Sequence, residues 1–213
     1  MGTLYGIYGA SGCGRGVMPV ARAQHAAAGD ALVFIDDAPG PARVNGHDLV
    51  DFAAFLARPA DARHVSLAIA SGALREALAR RCAKAGLGYF DVISDRAVVM
   101  DDVSWGEGII LSPFVTLTSN IRIGRHFQAN LYSYVEHDCA IGDFVTLAPG
   151  AKCNGNVVIE DHVYVGSGAV IRQGKPGAPL VIGKGATIGM GAVVTGDVAP
   201  GAVVVGNPAQ PVR

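Results

Sequence analysis

With 213 residues, half of them hydrophobic and 16% charged, the chain has material for one large domain or two small ones, and so low a charge content points to an oligomer that hides part of its surface. A net charge of −1 excludes the basic footprint of a nucleic-acid partner, and no run approaches the ~20 apolar residues of a bilayer span. The four cysteines (Cys13, Cys82, Cys139 and Cys153) have no CxxC or metal-ligand spacing, and the N-terminus lacks a secretory pattern, so the expectation is a cytoplasmic protein with no metal and no membrane partner.

In chain order, residues 4–8 read as a short apolar strand, followed by the glycine-rich run GASGCGRG from Gly9 to Gly16 and a helix over 17–28. A second strand over 31–35 ends at Asp36 and Asp37, and a polar, Pro/Gly-rich loop follows. Residues 65–70 (VSLAIA) read as a third strand, 73–85 as an amphipathic helix and 89–93 as a fourth strand. This alternation predicts a parallel α/β sheet with crossover helices, a Rossmann-like domain over residues 1–96.

From residue 97 the period changes. An apolar residue recurs every six positions: Val99, Trp105, Leu111, Leu117, Ile123, Ala129, Val135, Ile141, Leu147, Cys153, Ile159, Val165 and Ile171. Glycine follows it directly at positions 106, 124, 142 and 166, and is expected to turn the corners. The run resumes at Ile182, Ile188 and Val194 after an eleven-residue step, so five extra residues leave the repeat as a loop near residues 174–179. This is the signature of an all-β parallel β-helix over 97–213, with three hexads to a coil and about 4.8 Å between coils.

With YGASGCG, FIDD, AIASGALR, NLYSYVEHDCAIGDF, GAKCNGNVVI and VVVGNPA in place, nearly the whole chain resembles the left-handed β-helix acyltransferases of nucleotide-activated sugars: the bacillosamine-pathway and perosamine N-acetyltransferases and the sialic acid O-acetyltransferases. The resemblance implies an acetyl-CoA (or other acyl-CoA) co-substrate, a nucleotide-linked amino sugar of the 4-amino-4,6-dideoxy type held by the N-terminal domain, and a homotrimer with active sites between subunits. N-acetylation is expected ahead of O-acetylation, because an amine is the better nucleophile and the matching motifs are those of the N-acetyltransferases.

From spacing alone His137 reads as a polar residue on the coil exterior; the resemblance makes it the general base, and an imidazole titrating near pH 6.5 suits that role. The same resemblance gives its orientation to Asp138, which can reach the ring only if the backbone bends there, since strand neighbours point to opposite faces. Gly155, eighteen residues on and hence one coil above, is the expected backbone N–H donor to the thioester oxyanion. Gly9, Ser11 and Gly12 are expected on the diphosphate at a helix N-terminus, Asp36 and Asp37 on the nucleoside, and Asn130 and Glu136 at the acceptor. Three positions depart from the family pattern: Cys13 and Ala70 (where relatives carry His and Gly) are expected on the sugar nucleotide, and Thr146 (where relatives often carry His) on the coenzyme together with Gly155 and Ser167.

Two other readings fit the sequence less well. A γ-carbonic-anhydrase-like zinc site fails on spacing: His126 and His162 are thirty-six residues apart, roughly 10 Å along a β-helix, whereas two ligands of one zinc stand about 4 Å apart. A non-catalytic dinucleotide-binding module leaves the EHD segment (Glu136–Asp138) unexplained.

Overall fold

The computed structural model of the chain describes residues 2–25 and 29–212. Its first elements are β1 (Thr3–Tyr8), α1 (Gly12–Gln24), β2 (Ala31–Ile35), β3 (Arg43–Val44), β4 (His47–Val50), α2 (Phe52–Ala57), β5 (Ala62–Leu67), α3 (Gly72–Lys84) and β6 (Gly88–Tyr89). They form a six-stranded sheet in the order β3-β4-β2-β1-β5-β6, parallel except for the β3–β4 hairpin. Gly6 and Gly14 keep the layers close: a Cβ on Gly14 would lie 1.8 Å from the Gly9 carbonyl oxygen.

Local differences from the sequence reading have local causes. Helix α1 starts at Gly12, so the expected loop supplies its first turn; the expected end of that helix, 26–28, lies outside the described residues. The supposed loop after Asp37 holds a hairpin and a short helix. Asn45 and Gly46 make its turn with φ of 48° and 82°, the Asn-Gly signal of a tight hairpin, and Asp51 caps α2 by accepting from the Ala54 N–H at 2.7 Å. The expected strand over 89–93 is two: Gly88–Tyr89 pairs with β5, while Val92–Ile93 pairs with Ile110–Leu111. The change from sheet to β-helix therefore comes ahead of the expected 96/97 boundary.

From Val92 onward the chain winds a three-faced prism. Its first face runs from Val92–Ile93 through Gln128–Ala129, Thr146–Leu147 and Tyr164–Val165, its second through Tyr134–Val135 and Lys152–Cys153, and its third through Ala140–Ile141 and Val157–Ile159. Partners stand eighteen residues apart, as in Gln128↔Thr146↔Tyr164, then twenty-three apart once on each face (Val157↔Leu180, Tyr164↔Thr187, Val170↔Val193), which absorbs the five-residue insert, and sixteen apart at the last coil, Thr187↔Val203. The insert closes on itself through reciprocal Lys175–Ala178 backbone bonds of 3.0 and 2.9 Å.

The six-residue apolar series points inward from Leu111 on, and a second inward position lies two residues before it, at Ile109, Val115, Ile121, Phe127, Val145 and Val157. Each such aliphatic contributes about 1.5–3 kcal/mol by leaving water. The corners correct one expectation. The residue that turns is not the glycine following the apolar position but the one three places after it, and Asp102, Phe114, Asn120, His126, Tyr132, Asp138, Phe144, Asn156 and His162 all take φ between 53° and 65° there. Gly106, Gly124, Gly142 and Gly166 serve clearance instead: a Cβ on Gly142 would lie 2.6 Å from the Asp161 nitrogen of the next coil.

Arg75 fastens the sheet to the prism. Fully buried, it donates to the carbonyls of His126 (2.9 Å), Phe144 (2.6 Å) and Val145 (3.1 Å) on the prism and of Ile69 and Ala70 on its own side. The Gln128 amide donates to the Leu67 carbonyl and the Thr146 hydroxyl to the Ala70 carbonyl at 3.0 Å. At the same corner His126, Phe144 and His162 stack one per coil, with ring centroids 5.2 and 5.4 Å apart.

Candidate active site

The second corner of the prism carries the EHD segment. Asp138 sits there at φ 58°, and this bend folds its carboxylate back onto the ring: His137 Nδ1 and Asp138 Oδ2 are 2.8 Å apart. The left-handed turn supplies the bend that the pairing requires. An ionised carboxylate only accepts hydrogen bonds, so Nδ1 carries the proton and Nε2 presents its lone pair outward. Asn120, one coil below, donates to the other Asp138 oxygen at 3.2 Å and fixes its plane. The Asp138 hydrogen bond pushes the imidazole above its ordinary value, and the His137 and Asn120 bonds hold the Asp138 carboxyl below its own. Glu136 lies on the same turn but makes no hydrogen bond to the ring among the described residues, and its charge adds a smaller push in the same direction as Asp138.

Gly155 stands one coil above, against the imidazole. A Cβ there would lie 2.5 Å from His137 Cε1 and 2.7 Å from Nε2, so only glycine leaves the ring in place. Its carbonyl accepts from Gly174 N–H at 3.0 Å, while its own N–H has no partner among the described residues. Beside it opens a cavity of about 410 Å³ lined by Asn154, Arg172, Gln173, Gly174 and Lys175, so the insert supplies part of the wall and two cations line it.

A second cavity of about 410 Å³ lies between α1 and the first face. It gathers Gly12, Cys13, Ala70, Asn130 and Thr146, residues brought together from four separate stretches of sequence. Asn130 is held by its amide donating to the Leu147 carbonyl at 2.9 Å, and burial pushes the Cys13 thiol up. Ser11 caps α1 with no side-chain bond and stands exposed at its N-terminus. Gly9 has its N–H spent on the Ile35 carbonyl at 2.7 Å, and its φ of 104° makes the turn. Asp36 accepts from Ala10 N–H at 3.1 Å and so shapes the glycine-rich loop. Asp37 receives the Tyr8 hydroxyl at 2.6 Å and the Arg81 guanidinium at 2.5 Å, and these bonds hold its carboxyl low. Ser167 is exposed on the corner above Pro149, away from His137. Within one chain the second cavity and the imidazole stand at different corners, with the strand Tyr134–Val135 between them.

Asn120 and Arg75 are the residues that sequence reasoning missed. Stepping back eighteen residues from Asp138 finds Asn120, because coil neighbours repeat at that interval. Arg75 lies within AIASGALR but on an amphipathic helix, where an arginine ordinarily faces water.

No protein-family model matches the chain. Over 99% of its length it is 47% identical to the GDP-perosamine N-acetyltransferase of Escherichia coli O157:H7, covering 96% of that protein. The chain belongs to the nucleotide-sugar N-acetyltransferases. WeeI from Acinetobacter baumannii AYE superposes with a TM-score of 0.96 at 51% identity, over 99% of this chain and all of that one. PerB from Caulobacter crescentus, solved with CoA and GDP-perosamine, superposes at 0.85 with 25% identity over 100% of this chain and 98% of that one. The prism is thus the left-handed β-helix of these acyltransferases, and the reaction is acetyl-CoA-dependent N-acetylation of a nucleotide-linked amino sugar. Among the described residues no helix is long and apolar enough to cross a membrane.

Proposed function

We propose that this N-acetyltransferase acetylates the amino group of GDP-perosamine or a closely related GDP-linked 4-amino-4,6-dideoxy sugar, at a site completed by a neighbouring copy in a homotrimer. The observation that carries the reading is the His137–Asp138 pair at 2.8 Å with Gly155 packed on the imidazole and its N–H unspent. The amine nitrogen attacks the thioester carbon and loses its proton to His137 Nε2. The imidazolium is held by Asp138, and the charge on the carbonyl oxygen is met by the Gly155 N–H. Collapse breaks the C–S bond, and the departing thiolate takes the proton from His137.

The sheet unit, residues 1–91, acts as a Rossmann-like nucleotide domain and 92–213 as the catalytic β-helix. The first-turn N–H groups of α1, at Gly12 and Cys13, have no intrahelical partners and suit a diphosphate. Asp36 and Asp37 shape that loop and its neighbour through the bonds described above, so their part in nucleoside recognition is carried by position. Arg172 and Lys175 suit the phosphates of the coenzyme. The separation of the sugar-nucleotide cavity from His137 within one chain favours a composite site, because a second copy brings its imidazole corner to that cavity.

Turnover of acetyl-CoA against GDP-, UDP- and dTDP-linked 4-amino-4,6-dideoxy sugars tests the assignment. The GDP-linked sugar is expected to give the highest kcat/KM. A preference for a UDP- or dTDP-linked acceptor would overturn the substrate.

A further inference from the structure

The peptide between Asn154 and Gly155 carries both the carbonyl of one residue and the N–H of the next, and a trans peptide is planar with the two pointing opposite ways. The Asn154 carbonyl faces the prism interior. Its partners there are two thiols, both buried in the core: Cys139 Sγ at 3.4 Å, nearer to it than to its other acceptor, the His137 carbonyl at 3.6 Å, and Cys153 Sγ at 3.7 Å. No backbone N–H is bonded to this carbonyl among the described residues. At the neighbouring corner the matching carbonyls of Ser112, Asn130 and Ala148 each accept from the N–H three residues on. The turn at Asn154 lacks that bond, as do the turns at Thr118 and Glu136 in its own corner among the described residues, and at Asn154 two thiols meet the free carbonyl. The Asn154 side chain is tied at both ends, accepting from the Tyr134 hydroxyl at 2.9 Å and donating to the Ile171 carbonyl at 2.8 Å. That leaves the plane of the 154–155 peptide to be set by what its carbonyl meets. Because the far side of that peptide is glycine, a flip is sterically open, and it would present an oxygen where the thioester oxyanion needs a hydrogen.

We propose that Cys139, backed by Cys153, is a positioning residue for acyl transfer: its S–H holds the Asn154 carbonyl inward and so keeps the Gly155 N–H turned out beside His137. This rests on the reading of Gly155 as the oxyanion donor. Cys139 comes two residues after the base and Cys153 two before the donor, so one thiol pair ties the two coils that carry the chemistry. The hydrogen bond with Cys139, together with burial, pushes the Cys153 thiol well up, and the same bond holds the Cys139 thiol below its ordinary value.

Three full-length variants test it. Cys139→Ala is expected to lose about 10- to 100-fold in kcat, less than the 10²–10³ of removing an oxyanion donor outright, with both KM values and the pH–rate profile unmoved. Cys139→Ser, which keeps a donor, is expected within about threefold of wild type, while Cys139→Val, which fills the space without one, behaves like Ala. A purely packing role predicts the reverse order, with Val rescuing and Ser not, and that result would overturn the proposal. The second readout is the infrared carbonyl stretch of [1-¹³C]acetyl-CoA bound without acceptor. It is expected to shift to lower wavenumber in wild type and Cys139→Ser, and less in Cys139→Ala. An equal shift in wild type and Cys139→Ala overturns the thiol role alone, whereas no shift in wild type removes Gly155 as donor and the proposal with it.

Discussion

At the scale of single residues, one dihedral angle links sequence to chemistry. Position 138 is the turning point of its hexad, and a residue at φ 58° can reach back to its predecessor where a strand residue cannot. Replacing Asp138 by Asn removes the charge that raises the imidazole, so the acid limb of kcat/KM, which reports loss of the free base, moves to lower pH in Asp138→Asn; a limb at the wild-type position would contradict the pairing. The adjacency of His137 and Asp138 was legible in the sequence because it needs no long-range geometry. The contacts of Asn120 and Arg75 were not: hexad periodicity reports which residues point inward, and says little about exterior polar groups that meet across coils or across the docking seam.

At the scale of elements, the eighteen-residue step was readable from spacing alone, and the structure reproduces it up to the last coil, the five-residue insert included; there Thr187↔Val203 departs, with a step of sixteen. The corner glycines were misread because glycine serves two needs that a sequence does not separate, left-handed backbone and clearance; here Gly142 and its equivalents provide clearance. The β3–β4 hairpin and α2 were missed although Asn45–Gly46 and the Asp51 cap signalled both, since strands of two and four residues yield little periodicity. The seam between sheet and prism depends on Arg75: in Arg75→Met the carbonyls of Ile69, His126 and Phe144 lose their donor, while those of Ala70 and Val145 keep the Thr146 hydroxyl and the Gln128 N–H. Leaving a buried polar group unsatisfied costs about 1–3 kcal/mol, so the variant is expected to lose at least about 3 kcal/mol in urea titration, with the sheet melting before the β-helix. Arg75→Lys is expected not to restore it, for want of the planar fork; a wild-type midpoint in either variant would contradict this account of the seam.

For the whole molecule, the same seam gives folding an acid dependence. Burial, with the Arg75 and Arg125 charges, pushes His126 down to about 4, and neither ring nitrogen has a hydrogen-bond partner among the described residues. Between pH 6.5 and about 4 the unfolded chain takes up a proton that the folded chain refuses, so stability is complete above 6.5 and is lost as pH falls towards 4, on the order of 3 kcal/mol in all. His126→Phe keeps the stack on Phe144, as Phe144 itself tolerates the same φ, and is expected to flatten that limb of the melting temperature against pH; an unchanged limb would remove His126 as its source. The seam also holds the cavity of Gly12, Cys13, Ala70, Asn130 and Thr146 against the first face while the imidazole stands at the second corner. The most direct measurement is kcat/KM for acetyl transfer to GDP-perosamine by His137→Ala beside its size in solution. The account predicts a fall of roughly 10²–10⁴ with trimer formation unaltered; turnover within a few-fold of wild type would contradict it.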